Sequence, residues 1–130
     1  MGRKEKEYIA YEGNHFSVEW YYDKGNKSSS FEYYETLSVH EKVGVLRLFK
    51  RIGDVGELRD KTKFNYEGDK IYAFKPNAER FLCFFVQGKK IIVTNAFRKK
   101  QQKLPLKEKE IALRSKADYE KRVKEGSYYD

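Results

Sequence analysis

Residues 71–97, IYAFKPNAERFLCFFVQGKKIIVTNAF, decide the fold. They hold three apolar and aromatic segments, Ile71–Lys75, Arg80–Val86 and Lys90–Phe97, whose residue types favour β-strands. The connections between these segments, at 76–79 and 87–89, are short enough to be hairpin turns. The stretch therefore predicts three consecutive antiparallel strands.

Two helices and a further strand are predicted before this stretch. Residues 15–22 alternate between apolar and polar side chains, which is typical of a half-buried strand. The run Ser28-Ser29-Ser30 offers a cap to a short helix over residues 31–37, and Ser38 can cap a second helix, because Glu41 stands three residues later and completes a capping box. The second helix has a broad apolar surface, so we expect the pair to be a structural hairpin packed on the sheet.

A final helix is predicted after this stretch. Pro105 opens it and Gly126 lies just beyond it, with acidic residues in the first turns and basic residues in the last, as the helix dipole favours. The order of elements is strand, two helices, three strands, helix. We therefore predict an α+β fold, in which a two-helix hairpin packs on a small four-stranded, mainly antiparallel sheet with a C-terminal helix, and the helices lie mainly on one face.

The length of 130 residues is ordinary for one domain. We predict a single domain over residues 1–130, with a polar N-terminal arm at 1–13, a polar connection at 57–70 and a tail at 125–130. No apolar run approaches the roughly 18 to 20 residues that cross a bilayer, and no apolar signal region follows the charged start. We expect a cytoplasmic protein.

Cysteine and histidine are too few for several kinds of site. The single cysteine, Cys83, excludes an internal disulfide and lies in the apolar run FLCFFV, where a buried, unreactive thiol is expected. His15 and His40 are the two histidines, and no carboxylates cluster beside them at ligand spacing. We predict no metal site and no cofactor.

Positive charge is concentrated in the last third of the chain. The net charge is +8, and residues 89–124 hold thirteen Lys and Arg against four acidic residues, so the rest of the chain carries about −1. Local positive charge favours binding to phosphates, because each contact releases condensed counterions. A solvated helix face is the other interpretation of this pattern.

Two cations of the predicted meander should lie side by side. Lys75 ends one strand and Arg80 begins the next, and antiparallel pairing makes them neighbours. A bound anion would relieve the repulsion between them. Carboxylates of the protein are the alternative partners, and the candidates are Glu67, Asp69 and Glu79.

The residues around the last strand resemble a known family. The stretch NAFRKKQQKLP at 95–105, followed by Glu110-Ile111-Ala112 and by Asp118-Tyr119, is similar to the phage-associated branch of the RelE/HigB toxin superfamily, and a weaker likeness covers roughly residues 14–122. The resemblance implies a RelE-like fold and the toxin of a type II toxin–antitoxin system. Such a toxin is an endoribonuclease that cleaves mRNA, commonly at the ribosome, by metal-independent attack of a ribose 2′-hydroxyl on the adjacent phosphate. A cognate antitoxin of the helix-turn-helix type would silence it.

The resemblance also implies roles for individual residues. Arg80 matches a cationic strand residue that stabilises the phosphate. Lys99 and Lys100 match a Lys-Lys pair, one member of which could move a proton. Tyr119 matches a tyrosine of the last helix that could stack on a base or donate a proton, although simple packing is the favoured interpretation. The cations expected to contact RNA are Lys63, Lys75, Arg98 and Lys103.

The chain departs from the family pattern where Ala73-Phe74-Lys75 stands in place of Glu-Leu-Arg. The change removes a carboxylate and replaces a bidentate guanidinium with an ammonium. It leaves open a non-catalytic module on the same fold, either a degenerate toxin or an inhibitor of a protein target, and the basic C-terminal helix leaves open a general nucleic-acid-binding protein. A nuclease requires Arg80 to lie within about 12 Å of Lys99 or Lys100, so that their side chains can address one phosphate.

Overall fold

Six strands and three helices form the part of the chain that a computed structural model describes, residues 7–129. In chain order they are β1 (Ile9–Glu12), β2 (Ser17–Trp20), α1 (Ser29–Glu35), α2 (Val39–Val55), β3 (Phe64–Tyr66), β4 (Tyr72–Phe74), β5 (Glu79–Val86), β6 (Lys90–Arg98) and α3 (Leu106–Glu125). The strands form one sheet in the order β1-β2-β6-β5-β4-β3. The α+β class that the sequence predicts is therefore confirmed.

The sheet has six strands, so the prediction of four is wrong. The expected strands are present as β2, β4, β5 and β6, but β1 lies within the supposed N-terminal arm and β3 within the supposed polar connection. Both are edge strands of three or four residues, too short for a periodic pattern to reveal. The sheet is also mixed, because β2 pairs with β6 in parallel. Residues 1–6 of the arm and residue 130 of the tail lie outside the described residues.

The helices cover both faces of the sheet, so the prediction that they lie mainly on one face is also wrong. α1 and α2 pack on one face around Trp20, Phe49 and Phe81, and α3 packs on the other against Leu82 and Ile92. The physical reason is that β5 is buried on both sides, since the adjacent Phe81 and Leu82 are both 0% exposed. Strands of this kind read as continuous apolar runs rather than alternating ones, and FLCFFV is such a run.

The starts of the three helices and the end of α3 lie at the sequence signals that predict them. The Ser28 hydroxyl caps α1, and Ser38 and Glu41 form the full capping box of α2. α2 ends at Gly56 with a left-handed φ of 90°, and α3 ends at Gly126 with a φ of 79°. Within residues 7–129, no helix is both long enough and apolar enough to cross a membrane.

α2 docks closely on the start of β2 through Gly53. The Gly53 carbonyl accepts hydrogen bonds from the amides of His15 (2.7 Å) and Phe16 (3.0 Å). A Cβ at this position would lie 2.9 Å from the Tyr11 ring and 3.1 Å from the Phe16 carbonyl oxygen, which is too close for ordinary packing. Glycine therefore lets the helix backbone bond directly to residues 15 and 16, and this contact orients the helical hairpin on the sheet.

The C-terminal tail belongs to the core beneath α3. The Tyr128 side chain is 1% exposed and packs against Tyr21 and Tyr119. Its hydroxyl accepts a hydrogen bond from the Tyr22 amide (2.9 Å), and its carbonyl accepts one from the Tyr8 hydroxyl (3.1 Å). The tail therefore ties the end of α3 to the β1–β2 side of the sheet.

We expect Tyr128→Ala to lower the free energy of unfolding by about 3–5 kcal/mol, the range for removing a large buried aromatic side chain. Tyr128→Phe should lower it by about 1 kcal/mol, because it removes only the hydrogen bond to the Tyr22 amide. Urea denaturation followed by circular dichroism measures both values. Small and equal effects of the two substitutions would show that the tail is not part of this core.

Candidate functional site

Strand register brings the predicted cations together at one end of the sheet. Phe74 of β4 lies opposite Phe81 of β5, so the next residues outward, Lys75 and Arg80, are neighbours. The Lys75 amide donates a hydrogen bond to the carbonyl of Lys63 (2.7 Å), which extends the row to the edge of the sheet. Three cations therefore stand in a row at the ends of β3, β4 and β5.

Lys99 completes this group. Arg80 lies opposite Phe97 in the β5–β6 pair, and the Lys99 amide donates to the carbonyl of Ala78 (2.7 Å). Lys99 stands two residues beyond Phe97, so its side chain lies on the same face as that of Arg80, as a diagonal neighbour about 7–8 Å away. We call the group the basic corner, and its members are Lys63, Lys75, Arg80 and Lys99.

Arg80 is held by the backbone rather than by a carboxylate. Its Nη1 donates to the carbonyls of Asn77 (2.6 Å) and Glu79 (2.8 Å), and it forms no ion pair with a described residue. Burial lowers the pKa of Arg80, and the charges of Glu67 and Glu79 partly offset this effect. Within residues 7–129, Nη2 and Nε donate no hydrogen bond, so both are available to a bound anion.

The carboxylates proposed as alternative partners do not pair with Arg80. Asp69 forms an ion pair with Lys109 of α3 (2.9 Å). Glu67 acts on Arg80 through its charge, without forming an ion pair among the described residues. The third candidate, Glu79, points its carboxylate to the opposite face of the sheet. The basic corner therefore keeps an excess of positive charge.

Asp60 is a further acidic residue that interacts electrostatically with the basic corner. Hydrogen bonds from the side chain and amide of Thr62 lower the pKa of Asp60, and the charges of Lys63 and Lys75 contribute. Its Oδ1 accepts both Thr62 bonds, at 2.6 and 2.9 Å. Asp60 thus remains ionised, and its negative charge partly offsets the positive charge of the two lysines. It forms no ion pair with either lysine or with any other residue in the range 7–129.

Arg98 lies on the other face of the sheet, away from the basic corner. Its Nη1 donates to Oε2 of Glu79 (2.6 Å) and lies 4.0 Å from Glu41 of α2. Glu79 is 1% exposed and also accepts a hydrogen bond from the Tyr33 hydroxyl. Burial and this bond to Glu79 raise the pKa of Tyr33. Arg98 therefore neutralises a buried carboxylate, and the structure does not bring it to the predicted RNA surface.

The remaining predicted cations lie beside the basic corner. Lys100 and Lys103 belong to the loop that joins β6 to α3, and both side chains are exposed. Neither forms an ion pair with any residue in the range 7–129. The loop therefore extends the positive surface from the sheet towards the start of α3.

Tyr119 lies in the core and not at the surface. Its side chain is 2% exposed and packs edge-on against Phe84 and Tyr128. Its hydroxyl shares a hydrogen bond of 2.7 Å with that of Tyr129, and burial raises the pKa of Tyr119. The structure therefore gives Tyr119 the packing role that the sequence favours and does not join it to the basic corner.

Cys83 is buried, with 0% of its surface exposed, and burial raises the pKa of its thiol. The burial of this thiol that its sequence context predicts is therefore confirmed. The described residues contain no group of three or more His, Cys, Asp and Glu side chains placed to hold a metal ion.

The sequence does not reveal how Asn95 positions α3. Asn95 is buried in β6, and its Nδ2 donates to the carbonyl of Glu108 (3.1 Å) and to its Oε1 (3.0 Å). Its Oδ1 accepts a bond from the Thr94 hydroxyl (2.6 Å). The first turn of α3 is thereby fixed beside the basic corner. A polar residue inside an otherwise apolar strand is the signal that could have indicated this contact.

Substitutions of Arg98 and Lys99 should distinguish the cation that pairs with a buried carboxylate from the one that forms no ion pair with a described residue. Arg98→Ala should lower the free energy of unfolding by about 1.5–3 kcal/mol, because the buried Glu79 loses a charged hydrogen-bond donor. Lys99→Ala should change it by less than about 0.5 kcal/mol, as surface substitutions without partners do. Chemical denaturation of both variants measures the difference. An equal destabilisation by Lys99→Ala would contradict the separation of the two faces.

Most of the chain is similar to one known protein family. No curated protein matches the sequence. The sequence profile of phage-derived proteins similar to Gp49 (DUF891) matches residues 32–117, more than half of the chain. The match begins in α1, contains the whole basic corner and ends within α3. The chain therefore belongs to the phage-derived Gp49-like family.

Proposed function

We propose that this protein is the toxin of a type II toxin–antitoxin system and that it cleaves mRNA as a RelE/HigB-like endoribonuclease. The observation that carries the proposal is the strand register, which puts Arg80 and Lys99 at the same end of the sheet on one face. Neither forms an ion pair with a described residue. Membership of the phage-derived family and the resemblance to RelE/HigB toxins support the same assignment.

The reaction is an intramolecular transfer at phosphorus. The 2′-oxygen of a ribose attacks the adjacent phosphorus as its proton passes to a base, and the bond from phosphorus to the 5′-oxygen of the next nucleotide breaks. The leaving oxygen takes up a proton, which gives a 2′,3′-cyclic phosphate and a 5′-hydroxyl. The step requires stabilisation of negative charge on the phosphoryl oxygens and one proton acceptor and donor.

Arg80 is the residue that we assign to the phosphoryl oxygens. Its Nη1 is fixed by the carbonyls of Asn77 and Glu79, so the guanidinium is oriented before substrate binds. Nη2 and Nε can then donate to two oxygens of one phosphate. Lys99 stands beside it as a second cation, and either Lys99 or Lys100 transfers the proton. Lys75 supplies positive charge where the family pattern has arginine.

The partners follow from this assignment. The substrate is mRNA, bound at the ribosome, and the basic corner together with Lys100 and Lys103 faces its phosphates. A cognate antitoxin of the helix-turn-helix type binds the protein and blocks this surface. Such a toxin acts in the cytoplasm, where translation takes place.

Removal of the phosphate-binding cations should abolish cleavage. We expect the intact protein to cleave mRNA in a translating extract and to leave 2′,3′-cyclic phosphate ends. Arg80→Ala should slow cleavage by about 100-fold or more, the usual effect of removing one donor to a developing oxyanion. Lys99→Ala/Lys100→Ala should also abolish most of the activity. Primer extension locates the cuts, and treatment of the ends identifies the cyclic phosphate.

Arg47→Ala/Lys61→Ala is the matched control for the double variant. Both residues are exposed and lie outside the basic corner, and neither forms an ion pair with a described residue. The control should cleave as the intact protein does. Translation arrest with intact mRNA would overturn the nuclease and favour a non-catalytic binding module. Salt-dependent RNA binding without cleavage or arrest would favour a general nucleic-acid-binding protein.

A further inference from the structure

A second cationic cleft lies on the α3 side of the sheet. It has a volume of about 450 Å³ and is formed between residues 21–29, which follow β2 and reach the first residue of α1, and the middle of α3. Three cations line it: Lys24 and Lys27 from the turn at 23–27 and Arg114 from α3. All three side chains are exposed, and none forms an ion pair with a residue in the range 7–129.

The two carboxylates of this cleft are committed to other groups. Oδ1 of Asp23 accepts hydrogen bonds from the amides of Gly25 (2.8 Å) and Lys27 (3.0 Å), and these bonds hold the turn. Oδ2 of Asp118 accepts two hydrogen bonds from Arg122 (2.6 and 2.9 Å) and one from the Tyr21 hydroxyl. The acids thus stabilise the walls of the cleft. Burial raises the pKa of Asp118, but the hydrogen bonds from Arg122 and Tyr21 and the charges of Arg122 and Lys24 together lower it, so Lys24 interacts with this carboxylate without forming an ion pair.

Two hydroxyl groups add donors that suit a phosphate. Ser29 and Ser115 line the cleft beside the three cations. The Ser29 hydroxyl lies 3.4 Å from the Thr94 carbonyl, a long contact that a closer acceptor can replace. Ammonium, guanidinium and hydroxyl groups together match the oxygens of a phosphate, which accept hydrogen bonds and carry negative charge.

The start of α3 connects this cleft with the basic corner. Lys107, Ile111 and Arg114 are spaced four and three residues apart, so they lie along one side of the helix. Ile111 and Arg114 face the cleft, which places the exposed Lys107 on the same side, one turn nearer the helix start. The helix start at Leu106 is about 12 Å from Arg114 along the axis, at 1.5 Å per residue. The loop with Lys100 and Lys103 immediately precedes it.

We propose that the α3 cleft, lined by Lys24, Lys27 and Arg114, binds a backbone phosphate of the RNA strand whose scissile phosphate lies at the basic corner. The proposal rests on the nuclease function proposed above. The strand leaves the basic corner, passes the loop cations and Lys107, and places a flanking phosphate in the cleft. A second anchor point on one strand fixes its direction and position relative to Arg80, and it raises affinity through a further release of counterions.

Binding of a strand that cannot be cleaved tests the cleft apart from the chemistry. The probe is a fluorescent single-stranded RNA whose 2′-hydroxyls are methylated, measured by anisotropy over a range of salt concentrations. We expect Lys24→Ala/Lys27→Ala/Arg114→Ala to weaken binding at least tenfold at about 0.1 M salt, and to lower the slope of log affinity against log salt by about 0.7 for each phosphate that the variant no longer neutralises. The conservative Lys24→Arg/Lys27→Arg variant should bind as the intact protein does.

The matched control is Arg47→Ala/Lys61→Ala/Lys89→Ala, which removes the same charge from exposed positions outside the cleft. It should weaken binding less than threefold. Equal weakening in the cleft variant and this control would overturn the proposal, even if the intact protein cleaves mRNA. Conversely, selective weakening in the cleft variant would support RNA binding at the cleft even if no cleavage is found. Only the proposed nuclease activity would then be wrong.

Free nucleoside 5′-monophosphate distinguishes a strand site from a nucleotide pocket. It offers the same phosphate chemistry without a continuing backbone. We expect it to compete with the RNA probe only at concentrations at least 100-fold above that of the unlabelled strand. If the mononucleotide binds as tightly as the strand and the cleft variant no longer binds it, the cleft is a nucleotide site and the RNA proposal is wrong.

Discussion

The antiparallel pairing of β5 with β6 is the constraint on which the rest of the structure depends. Eight residue pairs join the two strands, and the register shifts once, where Leu82 faces Asn95 but Cys83 faces Val93. Thr94 is the extra residue of this bulge. Because side chains alternate along a strand with a period of two, one extra residue exchanges the faces of all residues beyond it. Ile92 and Phe97 thus both face α3, although an odd number of positions separates them.

The bulge also determines which face of the sheet Arg98 and Lys99 each occupy. Beyond Thr94, Arg98 faces the helical hairpin and neutralises the buried Glu79, while Lys99 faces the α3 side, where Arg80 lies. If Thr94 paired with Leu82 in a continuous register, Phe97 would lie opposite Glu79 and Arg98 would face α3, so the buried carboxylate would lose its cation. The stability of the hairpin face and the charge of the candidate site therefore depend on the same irregularity in one strand.

Local sequence patterns predict the elements whose stabilising contacts join residues close together in the chain. The meander and the capping box of Ser38 and Glu41 were predictable, because turn length and capping act within a few residues. The edge strands β1 and β3, the position of α3 and the burial of Tyr128 depend on partners far away in the chain. The pairing of Lys75 with Arg80 was predictable from a short hairpin, whereas the separation of Arg98 from Lys99 was not, since Thr94 looks like an ordinary strand residue.

The cations of the basic corner lower the stability of the folded protein, because they repel one another, but they suit a site that binds phosphate. Like charges on neighbouring strands repel one another, and water and the nearby Glu67 and Asp60 only moderate this repulsion. The sheet nevertheless fixes Arg80 through the carbonyls of Asn77 and Glu79, so its orientation is set by the backbone and not by a carboxylate. A phosphate that arrives there meets an oriented donor and displaces no protein anion. A phosphate bound at the basic corner would therefore supply the negative charge that the protein does not provide there, and its binding would relieve the repulsion between the cations.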